Sequence, residues 1–85
     1  MPKVKTTKQA RKELAMLDNS LRRAYLKQMI KYEAVPPKKR LKGNSEFLVG
    51  EVGQGRIICL EKGDVLWVVH VFATHKEYEK WYGGQ

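Results

Sequence analysis

Residues 73–82 read ATHKEYEKWY, which is one histidine, two lysines, two glutamates, two tyrosines and a tryptophan in ten positions. They follow directly on the apolar run VLWVVHVF, residues 65–72. A strand this apolar ordinarily ends in a Gly, Asn or Asp turn and another strand. Here it ends in side chains that titrate and stack. An imidazole such as that of His75 gives or takes a proton near neutral pH, and Lys76 can pin a phosphate. Tyr78, Trp81 and Tyr82 offer faces on which bases stack, worth about 1–3 kcal/mol per base. Arg56 opens another apolar run, RIICLE, twenty residues before Lys76. From there a guanidinium can grip an anion through two parallel N–H bonds. With two isolated histidines and the single Cys59, no metal-ligand spacing is present, and neither metal nor cofactor is expected.

The partner such chemistry would meet is indicated by charge. The net charge of the 85 residues is +8. Residues 1–43 hold thirteen Lys and Arg against Glu13, Asp18 and Glu33, whereas residues 44–85 hold four against six acids. An excess of +10 on one half calls for a polyanion, most commonly nucleic acid. Arg22, Arg23, Lys38, Lys39, Arg40 and Lys42 are the candidate phosphate contacts. No segment joins a basic face to a strong aromatic or leucine face, so a membrane surface is disfavoured. No run approaches a membrane span, and the opening MPKVKTTKQARKE has no apolar core of a secretory signal. Cys59, alone within IICL, reads as a buried strand cysteine in a reducing cytoplasm.

These groups need a scaffold. The length sets one domain, residues 1–85. After an extended start at Lys3 to Lys5, Thr6 or Thr7 can cap a helix carrying Ala10, Leu14 and Leu17 on one stripe. Asp18-Asn19-Ser20 breaks and recaps. A second helix runs from about Leu21 to Glu33, with Leu21, Tyr25 and Met29 as its seam and Ala24, Leu26 and Ile30 widening it. Pro36-Pro37 stops it, and residues 38–43 form a basic loop. Phe47 to Val52 is a weak strand limited by Gly50, followed by the turn Gly53-Gln54-Gly55. Arg56 to Glu61 and Val65 to Phe72, joined by a tight turn at Lys62-Gly63-Asp64, are apolar on both faces and hence central. His70 reads as a satisfied core histidine, and the polar tail as one turn of helix. The fold class is α+β, in which an N-terminal helical hairpin packs on one face of a small twisted, mainly antiparallel sheet, in the order β-α-α-β-β-β.

LKG (41–43), GQGRIICLEKGDVLWVVHVF (53–72) and THKEYEKWY (74–82), in this order and spacing, resemble the RelE/ParE toxins of bacterial toxin–antitoxin pairs. The likeness includes the helical hairpin with its ARKELAMLD and spans nearly the whole chain. Arginine, a second basic residue and tyrosine recur in RelE-type ribonucleases at the spacing of Arg56, Lys76 and Tyr82. The resemblance implies a ribosome-dependent mRNA endonuclease that needs no metal, is neutralised by a cognate antitoxin, and is cytoplasmic and monomeric when free. In that reading Arg56, His75, Lys76 and Tyr82 are catalytic, and Tyr78 and Trp81 hold RNA with the basic residues named above. The chain departs from RelE in one place. Lysines carried there on the strand before the arginine are absent, that strand reading FLVGEV with Glu51. The general base is therefore open among His75, Glu51 and the loop lysines Lys39 and Lys42. Two other readings share the composition: a ParE-type gyrase inhibitor with the same fold, and a non-catalytic RNA-binding module.

Overall fold

A computed structural model describes residues 3–41 and 44–83. Its elements are β1 (Lys3–Thr6), α1 (Lys8–Ala15), α2 (Asn19–Tyr32), β2 (Arg40–Leu41), β3 (Asn44–Val52), β4 (Gly55–Lys62), β5 (Val65–Phe72) and α3 (His75–Gly83). The five strands form one sheet in the order β1-β5-β4-β3-β2. Every pairing is antiparallel except that of β1 with β5. The α+β reading and the helical hairpin hold. The hairpin does not carry all the helix, however. The tail is nine residues of helix rather than one turn, so helices cover both faces of the sheet. Strand β3 starts three residues before the expected Phe47, and part of the basic loop is strand β2.

Local chemistry sets the helix ends. The Thr7 hydroxyl accepts the Ala10 N–H at 3.2 Å, and the Asp18 carboxylate accepts the Leu21 N–H at 2.8 Å. Thr74 and Glu77 form a capping pair at the start of α3, where the Glu77 N–H donates to the Thr74 hydroxyl at 3.2 Å. Both hairpins turn on a glycine at positive φ, Gly53 at +58° and Gly63 at +60°, the first-position glycine of a tight two-residue loop.

Helices α1 and α2 bury Ala10, Leu14, Tyr25, Met29 and Tyr32 against Leu48, Ile57, Cys59, Leu66, Val68 and Val71. Tyr25, Met29 and Tyr32 follow the i, i+4, i+7 stripe. Leu26 and Ile30 stand one residue round from it, so they do not widen the seam. They are 45% and 68% exposed, and Ala24 is also exposed. Helix α2 lies close to the sheet at two glycines. A Cβ on Gly55 would fall 1.5 Å from the Tyr25 hydroxyl, and one on Gly50 would fall 1.7 Å from that of Tyr32. The Tyr25 hydroxyl donates to the Phe72 carbonyl, where β5 ends.

That bond is buried, and it is a second bond to a carbonyl whose strand pairs with β4 at Arg56. Tyr25→Phe should destabilise the protein by about 0.5–1.5 kcal/mol in denaturant titrations. Gly55→Ala should be worse and leave little folded protein, because the methyl would meet both the Tyr25 hydroxyl and the Phe72 carbonyl, the latter at 2.7 Å. Gly83→Ala, where a Cβ meets nothing within 4 Å, should be neutral.

Candidate active site

Side chains alternate along β3 and β4, so the residues after Gly50 and Gly55 face away from α1 and α2. These are Glu51 and Arg56, and they are direct cross-strand partners. On this second face Leu41, Val49, Ile58 and Phe72 form a smaller apolar cluster, with Phe47, Val69, Tyr78, Trp81 and Tyr82 packed around it. Helix α3 lies over it. Trp81 is its anchor, with ring centroids 5.4 Å from Phe47, 5.6 Å from Phe72 and 5.3 Å from His70.

Arg56 is held in place. Its side chain is 15% exposed, and Nη1 donates to the Gly55 carbonyl at 2.8 Å while Nη2 lies 3.6 Å from Glu51 Oε1. The guanidinium stands 5.8 Å from the centre of the Tyr78 ring, a cation–π distance. Tyr78 is the hub of the site, with His75 at 5.9 Å and Tyr82 at 5.7 Å between ring centroids. His75, Tyr78 and Tyr82 share one stripe of α3 at i, i+3, i+7. His75 is half exposed, and its Nδ1 lies 2.9 Å from Glu79 Oε1 one turn on. Lys76, one residue round the helix, is exposed and has no ion pair among the described residues. It stands on the first turn of α3, where the helix dipole adds positive potential. Arg56, Tyr78, His75 and Tyr82 therefore meet over one end of the sheet, with Lys76 at the margin.

The basic residues divide. Lys39 reaches this edge, its Nζ 3.8 Å from the same Glu51 oxygen that faces Arg56. Lys38 is exposed beside it and shares with Lys39 a pocket of about 410 Å³. Arg40 is exposed, 3.5 Å from Glu61, and Arg23 is exposed on α2. Arg22 does something else. Its guanidinium donates to the carbonyls of Leu14, Ala15 and Leu17 at 3.0, 3.1 and 2.8 Å and to the Asn19 side chain at 2.9 Å, capping the C-terminus of α1. Lys42 lies outside the described residues. His70 is satisfied, as expected, but stands at the rim of the core: its side chain is 27% exposed, stacked on Phe72, with Nδ1 3.3 Å from Glu13. Sequence reading missed Glu13. Strand β1 stops opposite Val68, and Glu13 accepts the Val71 N–H at 2.8 Å, closing the edge of β5 beyond it. An acid between Ala10 and Leu14 on the apolar stripe was the available signal. No three His, Cys, Asp or Glu side chains converge among the described residues, and no helix is long and apolar enough to cross a membrane.

Burial raises Tyr78 above the usual phenol value, helped by Tyr82 and Glu51 and opposed by Arg56. Burial also raises Tyr25 and Tyr32 and pushes the Cys59 thiol up to about 12.

No protein-family model and no curated protein matches this sequence. Solved structures do. An isolated Escherichia coli RelE toxin superposes with a TM-score of 0.75 at 16% identity, covering 94% of this chain and 97% of that one. A RelBE toxin–antitoxin complex from Mycobacterium tuberculosis gives 0.74 at 18%, covering 85% and 98%. A RelB–RelE complex from Methanococcus jannaschii gives 0.70 at 18%, covering 89% and 95%. The chain has the fold of the RelE toxins, over nearly the full length of each.

In each of these raised groups the fold favours the protonated form. Its contribution is whole below the unfolded pKa, 9.0 for the thiol and 10.0 for the phenols, and is lost as pH rises through that value toward the folded one. Stability in denaturant should be flat up to about pH 9, then fall by at most about 1.4 kcal/mol per pH unit as the thiol becomes the first to ionise in the unfolded chain. Cys59→Ala should move the onset to about pH 10. An onset that stays near 9 would assign the loss to another group.

Proposed function

We propose that this protein is the toxin of a toxin–antitoxin pair, a ribosome-dependent endonuclease that cuts mRNA by side-chain acid–base chemistry. The observation that carries the reading is the meeting of Arg56, Tyr78, Tyr82 and His75 on a RelE fold. RNA cleavage of this kind requires a base to take the 2′-OH proton as O2′ bonds to phosphorus. It also requires a donor for the 5′ oxygen as its bond to phosphorus breaks, and positive charge for the extra negative charge of the phosphorane.

Arg56 supplies the charge. With Nη1 held by the Gly55 carbonyl, its remaining donors can aim at a non-bridging oxygen without reorganising. His75 is the base, its Nε2 taking the 2′-OH proton as O2′ bonds to phosphorus, and water protonates the 5′ oxygen as it leaves. With Nδ1 beside Glu79, the carboxylate favours a proton on that nitrogen and leaves Nε2 to exchange protons with the substrate. Lys76 pins a phosphate at the mouth of the site. Tyr82 and the Tyr78 ring hold a base by stacking, while Trp81 keeps α3 on the sheet beneath them. Lys38, Lys39, Arg40 and Arg23 hold RNA phosphates of message and ribosome, whereas Arg22 is committed to α1. A cognate antitoxin is the protein partner, as in the RelBE complexes that this fold matches, and the cytoplasm is where ribosomes are met.

Loss of a transition-state contact of the Arg56 kind costs about 3–4 kcal/mol, or 100- to 1000-fold in rate. Arg56→Ala should therefore abolish growth inhibition on induction while its circular dichroism stays that of the wild type. Full toxicity from a folded variant would remove the assignment. A fall in DNA supercoiling with intact protein synthesis would instead identify a gyrase inhibitor.

His75→Gln keeps size and hydrogen bonding and loses the titrating group. In single-turnover cleavage on programmed ribosomes it should be slower by about 100- to 10,000-fold with affinity nearly intact. A fully active His75→Gln variant would make the imidazole a bystander.

A further inference from the structure

Two cations from different parts of the chain approach one oxygen. Lys39, in the segment leading into β2, and Arg56, on β4, lie 3.8 and 3.6 Å from Glu51 Oε1. Both separations exceed hydrogen-bonding distance, so this carboxylate is held by charge alone. It is also 55% exposed, so solvent screens both pairs. Two cations converging on a single anionic oxygen outline an anion site. Arg56 is the fixed wall of that site, anchored by the Gly55 carbonyl and backed by Tyr78. Lys39, its side chain 71% exposed, is the solvent-facing wall. Gln28, Tyr32 and Lys38 line the pocket of about 410 Å³ that opens beside Lys39 and Glu51, which leaves room for the rest of a nucleotide.

We infer that Lys39 and Arg56 form a phosphodiester-binding subsite for single-stranded RNA, and that Glu51 occupies it in the free protein as an internal competitor. A phosphodiester carries two non-bridging oxygens and can offer one to each cation at charge-assisted hydrogen-bond distance. Glu51 presents a single oxygen to both, farther away. RNA therefore displaces the carboxylate, which swings out on its own side chain with no change in β3. The carboxylate holds the cations apart from stray anions until a better ligand arrives, and it weakens RNA binding by the same competition. The inference rests on the ribonuclease reading for the kind of anion. The competition itself is a property of the three side chains.

The experiment uses the full-length protein and a short single-stranded RNA, 2′-O-methylated so that it cannot be cut. Affinity is measured across a salt series for wild type, Glu51→Gln and Glu33→Gln, the last making the same change of charge beside Lys5 and Arg11. Glu51→Gln should bind about three- to tenfold tighter. Its slope of log K against log salt should be steeper by about 0.7, one phosphate's worth on a single strand. Glu33→Gln should gain much less, and adding Lys39→Gln to Glu51→Gln should erase most of the gain. Inorganic phosphate, titrated in parallel, should compete for RNA better in Glu51→Gln than in wild type if the phosphate group itself is the ligand. A Glu51→Gln affinity equal to that of Glu33→Gln, or weaker than wild type, would overturn the inference. Cleavage on programmed ribosomes separates the two readings. Tighter binding with no cutting by wild type or variant would sustain the subsite and sink the ribonuclease. Cutting by wild type, lost in Glu51→Gln at unchanged affinity, would sustain the ribonuclease, make Glu51 its base and sink the competitor.

Discussion

The hydroxyl of Tyr25, lying over Gly55 and donating to the Phe72 carbonyl, is the contact on which the rest of the site depends. It crosses from α2 to the ends of two central strands at once. The residue after Gly55 is Arg56, whose cross-strand partner is Phe72. The alternation of the strands sends Arg56 and the Phe72 ring to the opposite face. A buried hydrogen bond on one side of the sheet thus sets where the guanidinium and the floor beneath α3 stand on the other. Seven residues along α2, Tyr32 lies over Gly50 in the same way, and the next residue is Glu51. Two tyrosines two turns apart seat on two glycines, and each glycine precedes a charged residue of the site. The glycines are needed because a side chain there would push α2 off the sheet.

The second face is built on a different principle. Helix α3 is held by aromatic packing, with Trp81 against Phe47, Phe72 and His70 and Tyr78 against Phe72. Such contacts tolerate small displacements better than a hydrogen bond does. Arg56 and Glu51 are on strands, whereas His75, Lys76 and Tyr82 are on the helix. Glu13 joins the two systems through the edge of β5, accepting the Val71 N–H and facing His70, which lies against Trp81.

Much of this was legible in the residue pattern, for physical reasons that also mark where legibility ended. The caps at Thr7 and Asp18, the stripe Ala10–Leu14–Leu17 and the strands around Arg56 and Phe72 depend on neighbours in sequence, so local rules find them. The length of α3 was missed because its apolar side has no aliphatic stripe. Tyr78, Trp81 and Tyr82 read as much like a binding platform as a packed face. The parallel pairing of β1 with β5 is invisible in a four-residue strand whose partner lies about sixty residues away. Leu26 and Ile30 looked like core because a periodicity window cannot tell a stripe from its neighbour 100° round. In the candidate site, residue types and spacing singled out Arg56, His75, Lys76 and Tyr82, of which the structure groups Arg56, His75 and Tyr82 around Tyr78 and leaves Lys76 at the margin. They could not reveal that Arg22 is spent on the carbonyls of Leu14, Ala15 and Leu17, since nothing in LRRAYL separates its role from that of Arg23.

Electrostatics explains why the basic excess sits mostly outside the site. Clustered cations repel one another unless an anion lies between them, and the desolvation of Arg56 makes that repulsion stronger near it. The strand beside Arg56 answers with Glu51, directly opposite in register, where another cation would have faced the guanidinium across the pair. The remaining positive charge stands on exposed, flexible lysines such as Lys38, Lys39 and Lys76, where water screens it and the backbone tolerates it. The same distribution suits a polyanion. The field of the solvated lysines reaches out into water, whereas the desolvated guanidinium interacts most strongly with whatever anion displaces water from it.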